Sequence, residues 1–302
     1  MLESAAGITH IRMLYLQLLY RCNFSCKHCF HGDLLASRDA FTAAQATAMI
    51  DHFQTTYFLE AVTFLGGEPL LDPDLAAVAL HAKSRGLGVE ICTNGHPGFR
   101  ERLRHVAPHL DKFRVSLDGL SANHDSIRQR GSFDGALKMI DFVHRLGIPT
   151  GATMTVTERN LDDVVPLARL LDERGVGELK LHCLRMVGNA TSHADMQVPD
   201  PARYTGLHES IEAAELGLTV LYDSDLSPAP RDEMAPRLRQ GGRIDRIESD
   251  PRGGLTFSCK ASGHNINSFR WDKDTEIIHH EPKAADELTV GVPDVIYRMA
   301  TA

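Results

Sequence analysis

No stretch of this chain is apolar for long enough to cross a bilayer; the best run, Met13 to Tyr20, is only strand-sized. A basic start followed by an apolar stretch is also lacking over Met1 to His10, so no secretion signal is expected. Nor is there a surplus of positive charge. Lys and Arg total 32 against 40 Asp and Glu, a formal net charge of -8, which weighs against a broad nucleic-acid- or membrane-binding face. Cysteine is scarce as well: six in 302 residues, three of them within eight positions. Crowding of that kind, with no export signal, argues against a disulfide framework. It points to a metal site in a reducing compartment, with the cytoplasm as the expected location.

What is present is an ordinary globular composition, 43% hydrophobic and 24% charged. The length suits one large domain, or a barrel with a small appendage. The apolar run from Met13 to Tyr20 reads as a strand buried on both faces, and the cysteines follow it at once in a loop. Thr42-Ala43-Ala44-Gln45 has the form of a capping box and opens a helix reaching Tyr57. The strand Ala61 to Leu65 then ends at Gly66-Gly67, ahead of a helix from Pro73 to Arg85 that Gly86 stops.

The unit repeats. Strands are expected at 89–92, 112–117, 151–156 and 178–184, each followed by a helical stretch: 99–106, 133–146, 161–174 and 201–216. Six strand–helix units imply a parallel sheet, either curled into a partial barrel or lying open and doubly wound. In both arrangements ligands sit at the carboxyl ends of the strands, which is where the suggestive motifs fall. Beyond Tyr222 the pattern fades. Residues 224–254 carry Pro, Arg and Gly with little periodicity, so a connection or an irregular lobe is expected there, with a short all-β or α+β tail from about Leu255.

The chemistry concentrates in Cys22-Asn23-Phe24-Ser25-Cys26-Lys27-His28-Cys29. Thiolates are soft ligands suited to iron–sulfur clusters, and three on one loop can hold three irons of a cubane. With no fourth ligand nearby, one iron keeps open positions, as a metal centre that handles a cofactor or substrate does. The competing reading is a structural zinc knuckle with His28 as fourth ligand, disfavoured because no second, distant cysteine pair exists.

The spacing of Cys22, Cys26 and Cys29 at the end of a first strand resembles the signature of the radical S-adenosylmethionine (SAM) superfamily. That resemblance implies a partial (βα)6 TIM-like barrel, one [4Fe–4S] cluster on these three thiolates, and SAM chelating the unique iron. Reductive cleavage of SAM would then yield a 5′-deoxyadenosyl radical that abstracts a hydrogen atom from substrate. Further segments match in order. Gly66-Gly67-Glu68-Pro69 resembles the family motif at the SAM amino group, where glycines permit close backbone approach. Thr93-Asn94-Gly95 and Ser116-Leu117-Asp118-Gly119 resemble segments lining the ribose and methionine. His124 to Arg128 looks like the segment whose arginine, Arg128, pairs with the SAM carboxylate through its planar fork. The resemblance places His28, Gly66, Gly67, Glu68, Pro69, Thr93, Asn94, Ser116, Asp118 and Arg128 at the cofactor.

The similarity extends over residues 12 to 190 and, within the superfamily, is to the branch that modifies peptides and natural products. Members of that branch often carry a cysteine-rich extension of the SPASM or twitch type. Here only Cys259 lies beyond Cys183, and His279-His280 stand about where another cysteine is expected, so the extension is degenerate and lacks an auxiliary cluster. The expected division is a radical SAM partial barrel over 1–222 and a small irregular C-terminal lobe over 223–302.

Cys183 or Cys259 is a candidate hydrogen-atom donor to a substrate radical, set against a packed thiol for the first and a vestigial position for the second. Expected substrates are a ribosomally made peptide or a small natural-product precursor. The outcomes in view are epimerisation, cross-linking, decarboxylation and dehydrogenation. Expected partners are a one-electron donor such as flavodoxin or ferredoxin, and neither nucleic acid nor membrane. A peptide substrate would call for a separate leader-binding protein, since only about a dozen residues precede the first strand, too few for a fold of their own. The rival from another class is a non-catalytic iron–sulfur or zinc scaffold of the same fold.

Overall fold

Ile11, Leu14 and Leu16 of the first strand are completely buried, as a strand covered on both faces requires. The computed structural model describes residues 10–198, 200, 202–223, 226, 243–256 and 269–280. Along the chain the elements run β1 (His10–Gln17), α1 (Ala43–Tyr57), β2 (Ala61–Leu65), α2 (Leu75–Ser84), β3 (Gly88–Thr93) and α3 (Arg100–Val106). There follow β4 (Lys112–Ser116), α4 (Ser121–Ile127), α5 (Ser132–Arg145), β5 (Thr150–Val156), α6 (Val164–Glu173), β6 (Glu178–Cys183) and α7 (Ala202–Glu212). The last strands are β7 (Thr219–Tyr222), β8 (Arg243–Ser249), β9 (Gly254–Thr256), β10 (Phe269–Trp271) and β11 (Ile278–His280). The expected succession of six strand–helix units is therefore present among the described residues.

Two compact units divide the chain. The first takes in residues 1–22, 34–91 and 231–302. Its sheet has β1 at the centre, parallel to β2 on one side and to β8 on the other, with β3 parallel beyond β2. The capping box expected at Thr42 is formed: the Gln45 amide donates to Thr42 Oγ1 at 3.2 Å, and the Thr42 N–H donates to Gln45 Oε1 at 3.1 Å. Met49, Ile50 and Phe53 of α1 are fully buried.

The second unit takes in residues 23–33 and 92–230. Its strands β4, β5, β6 and β7 lie side by side, all parallel. Met139, Ile140 and Val143 of α5 and Leu167 and Leu171 of α6 turn completely buried faces inward, three or four residues apart.

Residues 243–249 correct the expectation of an irregular connection. They form β8, with Leu14 opposite Ile247, and antiparallel β9, β10 and β11 follow from its far edge. The sequence Arg243-Ile-Asp-Arg-Ile-Glu-Ser is too charged to read as a core strand. It becomes one because the carboxylate of Glu248, 2% exposed, accepts a 2.6 Å hydrogen bond from the side-chain amide of Gln17, itself fully buried on β1. β7 and the short helix α4 were likewise not foreseen.

Candidate functional site

In the first unit, β2 ends in Gly66-Gly67-Glu68-Pro69, and this turn is stitched to the segment that leaves β1. The Gly67 amide donates to the Leu19 carbonyl at 2.7 Å and the Glu68 amide to the Arg21 carbonyl at 2.9 Å. A Cβ on Gly67 would run into the carbonyl oxygens of Arg21 and Tyr20, and one on Gly66 (φ +146°) into that of Leu19. The close approach that demands glycine is thus to the protein's own backbone, on the residues leading directly into Cys22. The Gly67 and Glu68 amides are engaged in holding that approach. An ammonium group needs acceptors, so it does not compete for them. Glu68 is fully buried and accepts from the Leu70 amide at 3.0 Å, and Pro69 opens a single turn of 3-10 helix.

The second unit brings three of the expected residues into one buried knot. Asp118, just past the end of β4, is completely buried. Its Oδ2 accepts from Arg128 Nε at 2.5 Å and faces His28 Nε2 at 2.5 Å, while Oδ1 accepts from the Thr155 amide at 2.8 Å. Burial alone would raise this carboxyl, but Arg128 and His28 outweigh it and hold Asp118 far below the usual carboxylate range. Burial works against the Arg128 charge in the same way, and Asp118, followed by Cys26, more than restores it.

His124 completes the knot. Its Nδ1 accepts from the Asp118 amide at 3.0 Å, so the ring proton sits on Nε2. Burial first, and then Arg128, push its pKa down to about 4, which keeps the ring neutral. Thr93 and Asn94, at the end of β3, are buried. Asn94 Nδ2 donates to Oδ1 of Asn23, the residue after Cys22, at 2.8 Å, and Thr93 Oγ1 accepts from the Gly95 amide at 3.2 Å. Ser116 closes β4, 9% exposed.

Cys183 is the last residue of β6. Its amide donates to Asp223 Oδ2 at 2.8 Å, and its sulfur is 3.7 Å from the Tyr204 hydroxyl. Burial, reinforced by the thiol, raises the Tyr204 phenol well above its ordinary value. His279 is half exposed, and its Nε2 is 3.9 Å from an Asp272 carboxylate oxygen. Cys259 lies outside the described residues. Sequence reasoning passed over Asn23, His124 as a neutral acceptor, and Asn189, which reaches back to the cysteine loop. Gly188 was visible only as the end of the Arg185-Met186-Val187-Gly188 segment that resembles the peptide-modifying branch, with no hint of its contact.

The donor set fits an iron–sulfur cluster. Cys22, Cys26 and Cys29 are thiols, none joined in a disulfide. Burial raises the Cys29 thiol, and the backbone N–H groups of His31 and Gly32, together with Arg128, act in the opposite sense by favouring the thiolate. Arg128 likewise sets a positive charge beside Cys26. Among the described residues, no three His, Cys, Asp or Glu are gathered closely enough to hold a single metal ion.

Comparison with known proteins agrees with this picture. A family model described as the Radical SAM superfamily matches residues 16–171. Fe-coproporphyrin III synthase of Methanosarcina barkeri is 28% identical over 201 residues, covering 65% of this chain and 48% of that protein. PqqA peptide cyclase of Ruegeria pomeroyi is 25% identical over 251 residues, covering 82% of this chain and 67% of that protein. The crystal structure of Streptococcus suis SuiB bound to S-adenosylmethionine superposes with a TM-score of 0.71 at 16% identity, over 87% of this chain and 64% of that one. The chain spans about half the length of the first curated relatives it matches.

Proposed function

This chain belongs to the radical SAM superfamily, and from that premise we propose that it cleaves SAM reductively at one [4Fe–4S] cluster and abstracts a hydrogen atom from a peptide or a small natural-product precursor. One observation carries the proposal: three thiols on the loop that leaves β1, one ligand short of a closed cubane, with a buried arginine set beside Cys26. When bound, the cluster and SAM supply the one-electron cleavage that makes the abstracting radical.

The chain's own residues bind and orient. Cys22, Cys26 and Cys29 hold the irons. Gly66 to Pro69 shape the backbone at the SAM amino group, and Thr93, Asn94 and Ser116 line the ribose and methionine. Arg128 offers its guanidinium to the carboxylate, with Nε already aimed by Asp118, and His28 is drawn to the same aspartate. The peptide arm is supported by similarity to PqqA peptide cyclase and by a SuiB structure described as bound to precursor peptide SuiA. A tetrapyrrole is the second substrate class, favoured by the relatives named for Fe-coproporphyrin III and pre-heme d1 synthesis.

Cys183 is our first choice for returning a hydrogen atom to a substrate radical, because its sulfur lies 3.7 Å from a phenol able to share that hydrogen. The resulting thiyl would take one electron and one proton, the electron from a flavodoxin- or ferredoxin-like donor. Cys259 is the second choice. In this scheme residues 1–222 are the radical SAM part and 223–302 the reduced extension, β8 of which pairs with β1.

The test is anaerobic purification with iron, sulfide and zinc analysis, then SAM cleavage with dithionite. About four irons per chain with 5′-deoxyadenosine formed supports the proposal. Zinc without iron overturns it. Incubation with a candidate precursor peptide and with an iron tetrapyrrole then separates the two substrate classes by which one raises 5′-deoxyadenosine formation. In deuterated buffer, deuterium incorporated by the wild type and lost in Cys183→Ala identifies the donor; its loss in Cys259→Ala alone moves the role there.

A further inference from the structure

The loop that leaves β6 grips the cysteine loop at two of its three cysteines. Asn189 donates twice: its backbone N–H to the Cys29 carbonyl at 2.9 Å, and its side-chain Nδ2 to the Cys26 carbonyl at 3.0 Å. The Cys26 carbonyl also accepts from the Cys29 amide at 3.1 Å, so both of its lone pairs are used. Gly188, at φ +58°, makes the approach feasible, because a Cβ there would strike the carbonyl oxygens of Cys29 and Phe30. Gly32 faces it with φ +53°, and a Cβ at that position would come within 2.9 Å of the Gly188 Cα. Two glycines are needed for one crossing of backbones.

The gripping loop is itself anchored. Leu184, Ala190 and Met196 share an apolar cluster with Ile127 at the end of α4, and Met186 packs against it. Ile127 in turn accepts the Lys27 amide at 2.9 Å, between the two gripped cysteines. Thr191 Oγ1 ties the loop to itself by donating to the Gly188 carbonyl at 2.7 Å. The peptide units of Cys26 and Cys29 are therefore fixed from outside their own segment, by Asn189, which is 163 residues beyond Cys26 in sequence.

We infer that Asn189 is a positioning residue for the cluster, acting through Cys26 and Cys29. Holding both carbonyls fixes the direction in which each Cα–Cβ bond projects its thiolate, so that two of the three ligands are set before iron arrives. Asparagine suits the task because its amide supplies a neutral donor at the right reach. Aspartate of the same size would set a carboxylate oxygen against the Cys26 carbonyl oxygen. The inference rests on the proposed cluster.

The experiment compares wild type, Asn189→Ala, Asn189→Asp and Met196→Ala after anaerobic reconstitution. It reads iron per chain, the rate of iron loss to a chelator, and the paramagnetic resonance spectrum of the dithionite-reduced cluster. Wild type without iron would remove the cluster proposal itself, whatever Asn189 does. With wild type loaded, Asn189→Ala should lose iron about five-fold faster, the factor carried by one net hydrogen bond. Asn189→Asp should lose it faster still, and both should show altered g values. Met196→Ala, which loosens the loop's packing but keeps both donors, should retain the wild-type spectrum. Wild-type spectra and iron-loss rates in the Asn189 variants, or the same spectral change in Met196→Ala, would overturn the assignment. Asn189→Ala adds no bulk and carries the test alone should Asn189→Asp prove insoluble.

Discussion

Arg128 Nε lies 2.5 Å from Asp118 Oδ2, and the two side chains are 9% and 0% exposed. A buried pair of this kind is costly to break from one side, because the remaining charge is left in a poorly solvating interior. Asp118→Asn keeps the shape and removes the charge that balances Arg128. The expected loss is about 3–5 kcal/mol of unfolding free energy, read as a lowered urea midpoint at unchanged slope. A loss under about 1 kcal/mol would mean that water or another anion already screens the arginine.

His124 gives a pH dependence of definite sign. Its folded pKa of about 4 lies below the ordinary 6.5, chiefly through burial. As pH falls from 6.5 the unfolded chain takes up a proton that the folded chain refuses, so stability declines through that window and the full loss is reached below about 4. The size is about 3 kcal/mol. His124→Gln can still accept from the Asp118 amide but does not titrate. The difference between the wild-type and variant stability curves should therefore slope between those two pH values and be flat above them. A flat difference throughout would show that the ring protonates in the folded state.

Gly67 and Gly86 separate two reasons for glycine. At Gly86 (φ +79°) a Cβ would meet nothing within 4 Å, and only backbone strain opposes alanine. At Gly67 a Cβ collides with the carbonyls of Tyr20 and Arg21. Gly86→Ala should cost about 1 kcal/mol and leave iron loading intact. Gly67→Ala should cost about 2–4 kcal/mol and, by displacing the chain that enters Cys22, lower the iron bound per protein. Full iron loading in Gly67→Ala would show that the turn and the cysteine loop are mechanically independent.

Features written in short-range spacing were legible from sequence. The Thr42–Gln45 capping box, the ends of β2 and β3, and the order of the cysteine, Gly-Gly-Glu-Pro and Ser-x-Asp-Gly segments needed only local geometry. The pairing among His28, Asp118 and Arg128 was not legible, because each residue alone looked like a cofactor contact and nothing local says that two of them meet on a third. Asn189 was invisible for the same reason: its partners are carbonyls, which carry no side-chain signature. β8 was missed because alternation of Ile with Asp, Arg and Glu suits a surface strand. Its interior carboxylate is met by Gln17 of the neighbouring β1 and by Arg246 of β8 itself, and the first of these has no local signature.

The Gln17–Glu248 contact offers a direct check on that last point. Glu248→Gln can present a carbonyl oxygen to the same amide and should cost less than about 1 kcal/mol. Glu248→Ala removes the acceptor and leaves the Gln17 amide in a site that admits little water, at about 1–3 kcal/mol. If β8 is held to β1 through this pair, a double-mutant cycle with Gln17→Ala should return a coupling of about 1 kcal/mol or more, since both residues act on one bond. Residues that merely lie near each other in the sheet would give additive losses. Measured by urea unfolding, additivity within about 0.3 kcal/mol would detach the burial of Glu248 from Gln17 and leave β8 to its backbone pairing and its other side-chain contacts, Arg246 over Tyr15 among them.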